Sequence, residues 1–250
     1  MSHDQNFKNL ILDYPREALA FFAPEETADL PPDVQFLPVR QEQLQERLGE
    51  RFRELDTPLL VQWPDRRREA ILFVIEEESD SRRFSIHRLV CYCTDLAELL
   101  DTDRVVPVVI FLRPGRYRPG LELGTERMTY LSFRFIACDL GTIPVEQHLA
   151  SHNIVARLNL PNLRHRPEQR LEVFLRAQEG LAQLEPNPDK RIKYSAFVDQ
   201  YAALSEAELA EYLQRYMPQS NYREQLMGFT QHFIDQGIQQ GIQQGIQQGI

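Results

Sequence analysis

The apolar run Ala70-Ile71-Leu72-Phe73-Val74-Ile75 ends in three consecutive carboxylates, Glu76-Glu77-Glu78. A strand that folds inward draws its end towards low dielectric, where an unpaired anion is costly. A divalent cation compensates such a cluster best. A second acid, Asp56, heads another apolar stretch, Thr57-Pro58-Leu59-Leu60-Val61-Gln62-Trp63. Between the two lies the turn-forming, polar segment Pro64-Asp65-Arg66-Arg67-Arg68. A hairpin centred between Asp65 and Arg66 sets Asp56 opposite Glu76 to within a residue, and opposed Cβ atoms lie about 4.5–5.5 Å apart. Alternation puts Glu76 and Glu78 on one face and Glu77 on the other. Oxygen-rich pairs of this kind suit Mg²⁺ or Mn²⁺. The plainer alternative is a solvated strand end with ordinary surface acids.

Other constellations carry less. Arg88 and Tyr92 stand i, i+4 on a predicted helix and share a face; the pair would hold a phosphate, buttress a carboxylate or pack at the core margin. His148 and His152 have the same spacing on another predicted helix, but no HExxH pattern surrounds them, and structural histidines are expected. His87 is expected on a helix surface. No Walker loop, Rossmann glycine pattern or GxSxG elbow is present. The basic residues are nearly all arginine, whose fork suits phosphate. Arg66-Arg67-Arg68 and Arg82-Arg83 flank the acidic strand, and Arg113, Arg116 and Arg118 follow a later one; a solvated surface explains them equally.

Composition bounds these readings. A chain of 250 residues, 42% hydrophobic and 26% charged, is ordinary for a folded protein with one large domain or one domain with appendages. The formal charge of −9 argues against a protein that coats DNA, though not against one that cuts it. No stretch approaches a membrane span, and the polar start does not resemble a signal peptide. Three cysteines, Cys91, Cys93 and Cys138, without framework spacing fit a reducing compartment. A cytoplasmic protein is therefore expected.

The elements that must position the acids are legible in part. A helix over 7–22 is interrupted by Pro15, Leu30-Pro31-Pro32 marks a loop, and 40–54 reads as a polar helix. After the hairpin, Ser81 to Leu100 is amphipathic, with a stripe of Ile86, Leu89, Val90, Cys93, Leu96, Ala97 and Leu100. Val105 to Leu112 is apolar on both faces, as a central strand of a covered sheet should be, and Tyr130 to Cys138 reads as a further strand. Helices broken by Pro161 and Pro167 dominate from 144 to 183. Pro186-Asn187-Pro188 breaks the chain, and Ser205-Glu206-Ala207-Glu208 has capping-box spacing. Three regions are predicted: an α/β domain over 1–143, a helical accessory region over 144–236, and a low-complexity tail over 237–250. The tail repeats Gly237-Ile238-Gln239-Gln240 to Gly249-Ile250. Its isoleucines would wind slowly round a helix, about 40° per repeat, and offer weak self-association.

These residues, in order, resemble the recombination-promoting nuclease (Rpn) family, the PD-(D/E)XK nuclease family transposases. The resemblance is carried by His3-Asp4-x-x-Phe7-Lys8, Asp56 ahead of a hairpin, Ile75-Glu76-x-Glu78-Ser79, Arg88-Leu89-Val90-Cys91-Tyr92, the strand Val108 to Leu112 and the glycine-punctuated tail. It implies a restriction-endonuclease-like core, a mixed central sheet flanked by helices, with a C-terminal helical extension. It implies Mg²⁺- or Mn²⁺-dependent cleavage of DNA phosphodiesters in a bacterial cytoplasm. Asp56 looks like the metal-binding aspartate and Glu76 like the first acid of the (D/E)xK element. Glu78 occupies the lysine position, a departure that leaves open an inactive nuclease fold serving as a nucleic-acid or protein-binding module.

Overall fold

The computed structural model describes residues 3–27, 30–39, 57–64, 68–76 and 84–229, and the chain divides into two compact units, Met1–Ile143 and Pro144–Ile250. Unit 1 is mixed α/β. Helices α1 (His3–Asp13) and α2 (Pro15–Phe22) are separate elements. Pro15 cannot donate to continue the first, yet its fixed φ suits the first turn of the second. Strands β1 (Gln35–Pro38), β2 (Thr57–Gln62) and β3 (Arg68–Glu76) then form an antiparallel meander. Helix α3 (Ile86–Leu100) makes the crossover that two parallel neighbours require, to β4 (Val105–Phe111) beside β3. A two-stranded hairpin, β5 (Gly120–Gly124) with β6 (Thr129–Arg134), precedes β7 (Ile136–Asp139), which lies parallel to β4. The main sheet has the order β1-β2-β3-β4-β7.

Two prolines inside strands fit this order because each sits just past the end of a ladder on one side. Pro58 lies one residue beyond the Pro38–Leu59 pair that ends the β1 ladder. Pro107 precedes Val108, where pairing with β7 begins. Neither position needs the donor that proline lacks.

Helices cover both faces of the sheet. Phe73 of β3 is fully buried and meets Phe22 of α2 edge-on, ring centroids 6.2 Å apart. On the other face, Leu89, Cys93, Leu96 and Leu99 of α3 pack with Val109 and Phe111 of β4. Phe73 pairs with Val108, so strand alternation puts Phe73 and Phe111 on opposite faces.

The stripe expected of α3 holds at Ile86, Leu89, Cys93 and Leu96, but Leu99 is buried while Val90, Ala97 and Leu100 are half-buried. The helix starts later than Ser81 because Ser85 caps it, its hydroxyl accepting from the Arg88 N–H at 3.3 Å. The strand expected over Tyr130 to Cys138 is two strands. The chain leaves the hairpin at Phe135, whose ring lies 5.2 Å from that of Phe84 and 6.0 Å from that of Tyr117, and joins the main sheet as β7.

Unit 2, over its described residues, is helical: α4 (Ile154–Leu158), α5 (Arg170–Leu184), α6 (Pro188–Ala202) and α7 (Glu206–Glu211), with a π-helical turn over Tyr212–Tyr216 and a helical segment over 223–229. His148 and His152 are not on a helix. Asn153 starts α4 only after them, its side chain accepting from the Ala156 N–H at 3.1 Å. Asn187 both breaks the chain and caps α6, accepting from the Asp189 N–H at 2.9 Å. The capping box at Ser205 is present, with Glu208 returning to the Ser205 N–H at 2.8 Å.

The interior of unit 2 holds polar groups among its apolar side chains. Arg157, Asn159, Gln178, Glu179, Glu185 and Ser195 are all buried. The Arg157 guanidinium donates to the Arg176 carbonyl. A Cβ on Gly180 would come within 2.6 Å of Arg157 Nε, so only glycine lets α5 pass that close. Glu179 accepts from Arg176 at 3.1 Å and from the Ser220 hydroxyl at 2.6 Å. The Gln178 amide donates to Asp199 at 3.2 Å and accepts from Ser195 at 3.1 Å.

Candidate functional site

Parallel strands β3, β4 and β7 end together. Glu76 pairs with Phe111, and Phe111 with Asp139, so one row of the ladder crosses all three carboxyl ends. Ligands of open α/β sheets settle at this edge, because the crossover helices start there and the connecting loops are free to diverge.

Phe111 anchors what gathers at the edge. The Tyr117 ring stacks on it, centroids 4.2 Å apart and 5° from parallel. Phe84, just ahead of α3, meets it edge-on at 5.7 Å. Tyr117 belongs to the loop after β4, which also carries Arg113, Arg116 and Arg118, all exposed. The loop is tied down at Pro114: a Cβ on Gly141 would lie 2.6 Å from the proline ring, so glycine permits the close approach. A cavity of about 410 Å³ opens here, lined by Phe84, Ile86, Arg116, Tyr117 and Arg118.

Electrostatics set these arginines apart. Arg104 donates twice to Glu69 Oε2, at 3.1 and 3.0 Å. Arg113, Arg116 and Arg118 have no ion-pair or hydrogen-bond partner among the described residues. They stand unneutralised in a chain of net charge −9.

Asp139 lies beneath the loop. Its Oδ1 is buried and makes no hydrogen bond among the described residues. Burial raises its pKa from the ordinary value, and a hydrogen bond from the Gly141 backbone opposes the shift. The Tyr117 phenol is raised by burial and then by the Asp139 charge. Burial, with the same charge, pushes the Cys138 thiol up to about 12, and burial alone pushes Cys93 to about 12. Both thiols are protonated, inert core groups at neutral pH. The edge thus offers guanidinium forks for an anion, fixed rings for a flat ligand, and an underused carboxylate oxygen.

The residues expected to hold a metal fall differently. Asp56, Glu77 and Glu78 lie outside the described residues, and for Glu76 only the backbone position is described. The β2–β3 ladder runs half a residue tighter than expected, and its last described pair, Thr57 with Phe73, stops three residues short of Glu76. Among the described residues no group of three or more His, Cys, Asp or Glu side chains comes together as a metal site. The observation that bears on a cation is Asp139 Oδ1, an oxygen donor without a hydrogen bond on the ladder row of Glu76. Oxygen donors are what Mg²⁺ and Mn²⁺ take.

Arg88 is exposed on the first turn of α3, and Tyr92 is half-buried against the α3 core cluster. His87 is exposed. His148, half-buried, has its pKa lowered by burial.

Phe84, Tyr117 and Asp139 were not singled out by sequence, yet two of them leave a trace there. Asp139 follows Ile136-Ala137-Cys138, a strand ending in an acid, the same signal that marks Glu76. Arg116-Tyr117-Arg118 interleaves an aromatic ring with two cations. The tail from Gly237 and the predicted helix over 40–54 lie outside the described residues. No helix among the described residues is long and apolar enough to cross a membrane. Comparison of the chain with family models, with curated proteins and with solved structures found no match.

Proposed function

We propose that unit 1 acts on DNA as a metal-dependent phosphodiesterase of the restriction-endonuclease-like, Rpn type, with Asp56 and Glu76 as the metal-holding acids. One observation carries the reading: β3 brings Glu76 to the carboxyl edge of the sheet, beside a loop with three arginines that have no partner among the described residues. The mixed sheet with helices on both faces is compatible with such a core and supports it.

In this reading the arginines grip the DNA backbone, a salt-sensitive contact that fixes position without reading sequence. Asp56 and Glu76 hold Mg²⁺ or Mn²⁺ by their carboxylates. When bound, the ion supplies a polarised phosphate and a water acidic enough to attack it. Asp139 lies one strand beyond Phe111, with an oxygen that makes no hydrogen bond among the described residues.

A second reading keeps the fold and the DNA but drops the cleavage. Glu78 favours it, since it stands at the position that in the resembling family carries lysine and adds negative charge instead of offsetting it. Plasmid nicking with Mg²⁺ and Mn²⁺ separates the two. Nicking by wild type that falls at least a hundredfold in Asp56→Ala and Glu76→Ala supports the enzyme. Equal nicking by all three proteins marks a contaminant and ends that reading. No nicking by wild type, with cleavage gained in Glu78→Lys, points to the binding module.

A further inference from the structure

We propose that the cavity at the carboxyl edge of unit 1 receives an unpaired nucleotide of a single strand, its base against Phe84 and Tyr117 and its flanking phosphates on Arg116 and Arg118. The inference rests on the nucleic-acid reading of unit 1 and deepens it by naming the form of the substrate.

Three observations converge. The first is size. A cavity of about 410 Å³ lies in the range of sites for single small molecules, about 300–1,000 Å³. It admits one nucleotide and excludes the width of a duplex. The second is the lining. Two aromatic side chains face the cavity between two arginines. Aromatic walls are of use only to a base whose faces are exposed, and bases in a duplex spend theirs on each other. The third is rigidity. Phe84, Phe111, Tyr117 and Phe135 brace one another through ring contacts of 4.2 to 6.0 Å, and Pro114 against Gly141 holds the arginine loop. Little side-chain freedom remains to be lost when a base stacks.

The arginines complete the recognition. With no partner among the described residues, Arg116 and Arg118 lose no internal contact on meeting phosphate, and both line the same cavity as Tyr117. A backbone threaded past the cavity meets one guanidinium before the base and one after it.

The test is fluorescence anisotropy in EDTA, so that cleavage does not intervene. The probes are a labelled oligothymidylate, the same strand with abasic sites, a duplex of equal length, and dTMP as competitor. The strand should bind at least tenfold tighter than the duplex. Abasic substitution should cost about tenfold, in line with the stacking of one base, and dTMP should compete only weakly. Arg116→Glu with Arg118→Glu should abolish strand binding. Arg116→Ala with Arg118→Ala should flatten its log-log salt dependence by about 1.4 units. Both pairs should leave Trp63 fluorescence and circular dichroism unchanged. Duplex binding as tight as strand binding, still dependent on the two arginines, would overturn the inference and leave the DNA reading standing. Abasic strands binding as well as the intact strand would also overturn it, as would dTMP competing as well as the strand. Binding to neither strand nor duplex would remove both readings together.

Discussion

The two units spend their charges in opposite ways. Unit 1 buries Phe7, Phe22, Phe73, Val108 and Ile110 between its layers and confines its buried acid, Glu69, to the amino-terminal end of β3 under Arg104. Arg16 donates to the Pro31 and Pro32 carbonyls, whereas Arg113, Arg116 and Arg118, at the opposite end, have no partner among the described residues. Unit 2 draws charge inward. Arg157, Arg170, Arg176 and Arg191 each donate to a carbonyl or carboxylate within the unit, and Arg215 pairs with Glu211 on the surface. A cation already satisfied from within has little to offer a ligand, whereas one held on a rigid loop without a partner does. The contrast fits the ligand reading proposed for unit 1, while in unit 2 the Arg170–Glu208 pair ties α5 to α7.

Truncation of the unit 1 core tests the contrast most severely. Phe73→Ala should cost about 4 kcal/mol, because the side chain is fully buried and the space it leaves cannot close. Trp63, the one tryptophan of the chain, is buried in unit 1 and reports the loss directly by fluorescence. Hydrogen exchange should show protection falling over 57–111 and holding over 170–202. An equal fall in both would mean that the units unfold as one and would break the comparison.

Unit 2 should respond to pH through Asp199. Burial pushes Asp199 up to about 7, with the Gln178 amide opposing. The folded state therefore keeps a proton that the unfolded chain releases near the ordinary value of 3.8. Unit 2 should lose stability as pH rises from about 4 to 7, as the unfolded state binds fewer protons in that window, and level off above it. Asp199→Asn should flatten the profile of the 170–202 exchange midpoint. An unchanged profile in the variant would assign the dependence elsewhere.

The smallest effect belongs to the start of α7. Ser205→Ala removes both halves of a capping box and should cost about 1 kcal/mol, read from exchange of the α7 amides. The effect should be confined to unit 2. A shift in Trp63 fluorescence would blur the comparison.

How much of this was legible depended on whether the signal was local. The break at Pro15, the cap at Ser205 and the buried strand at Val105 follow from residues that act on their immediate neighbours, and the structure has them. The centre of the hairpin was legible to half a residue, which shifts each pair by one: Thr57 faces Phe73 where Val74 was expected. The helix α6 was missed, although Tyr194, Phe197, Val198 and Ala202 are buried at helical spacing; its polar first turns, Asp189-Lys190-Arg191, hid the stripe. The arginine cavity was legible only as a list of cations. What makes it a site is the stacking of Tyr117 on Phe111 and the packing of Phe84, contacts between residues far apart in the chain. The same holds for Asp139, whose row with Glu76 exists only once β7 has returned to β4.

The margins of the main sheet are its shortest strands. Among the described residues the inner strands β3 and β4 run nine and seven residues, while β1 and β7, on the outside, have four each. One margin ends in Pro38, which has no hydrogen to offer a newcomer. The most apolar part of the chain is thus walled in by stubs that make poor templates for stacking one molecule on the next. A protein built this way tolerates an aggregation-prone centre, Ala70 to Ile75, at high concentration without seeding fibrils from its rims.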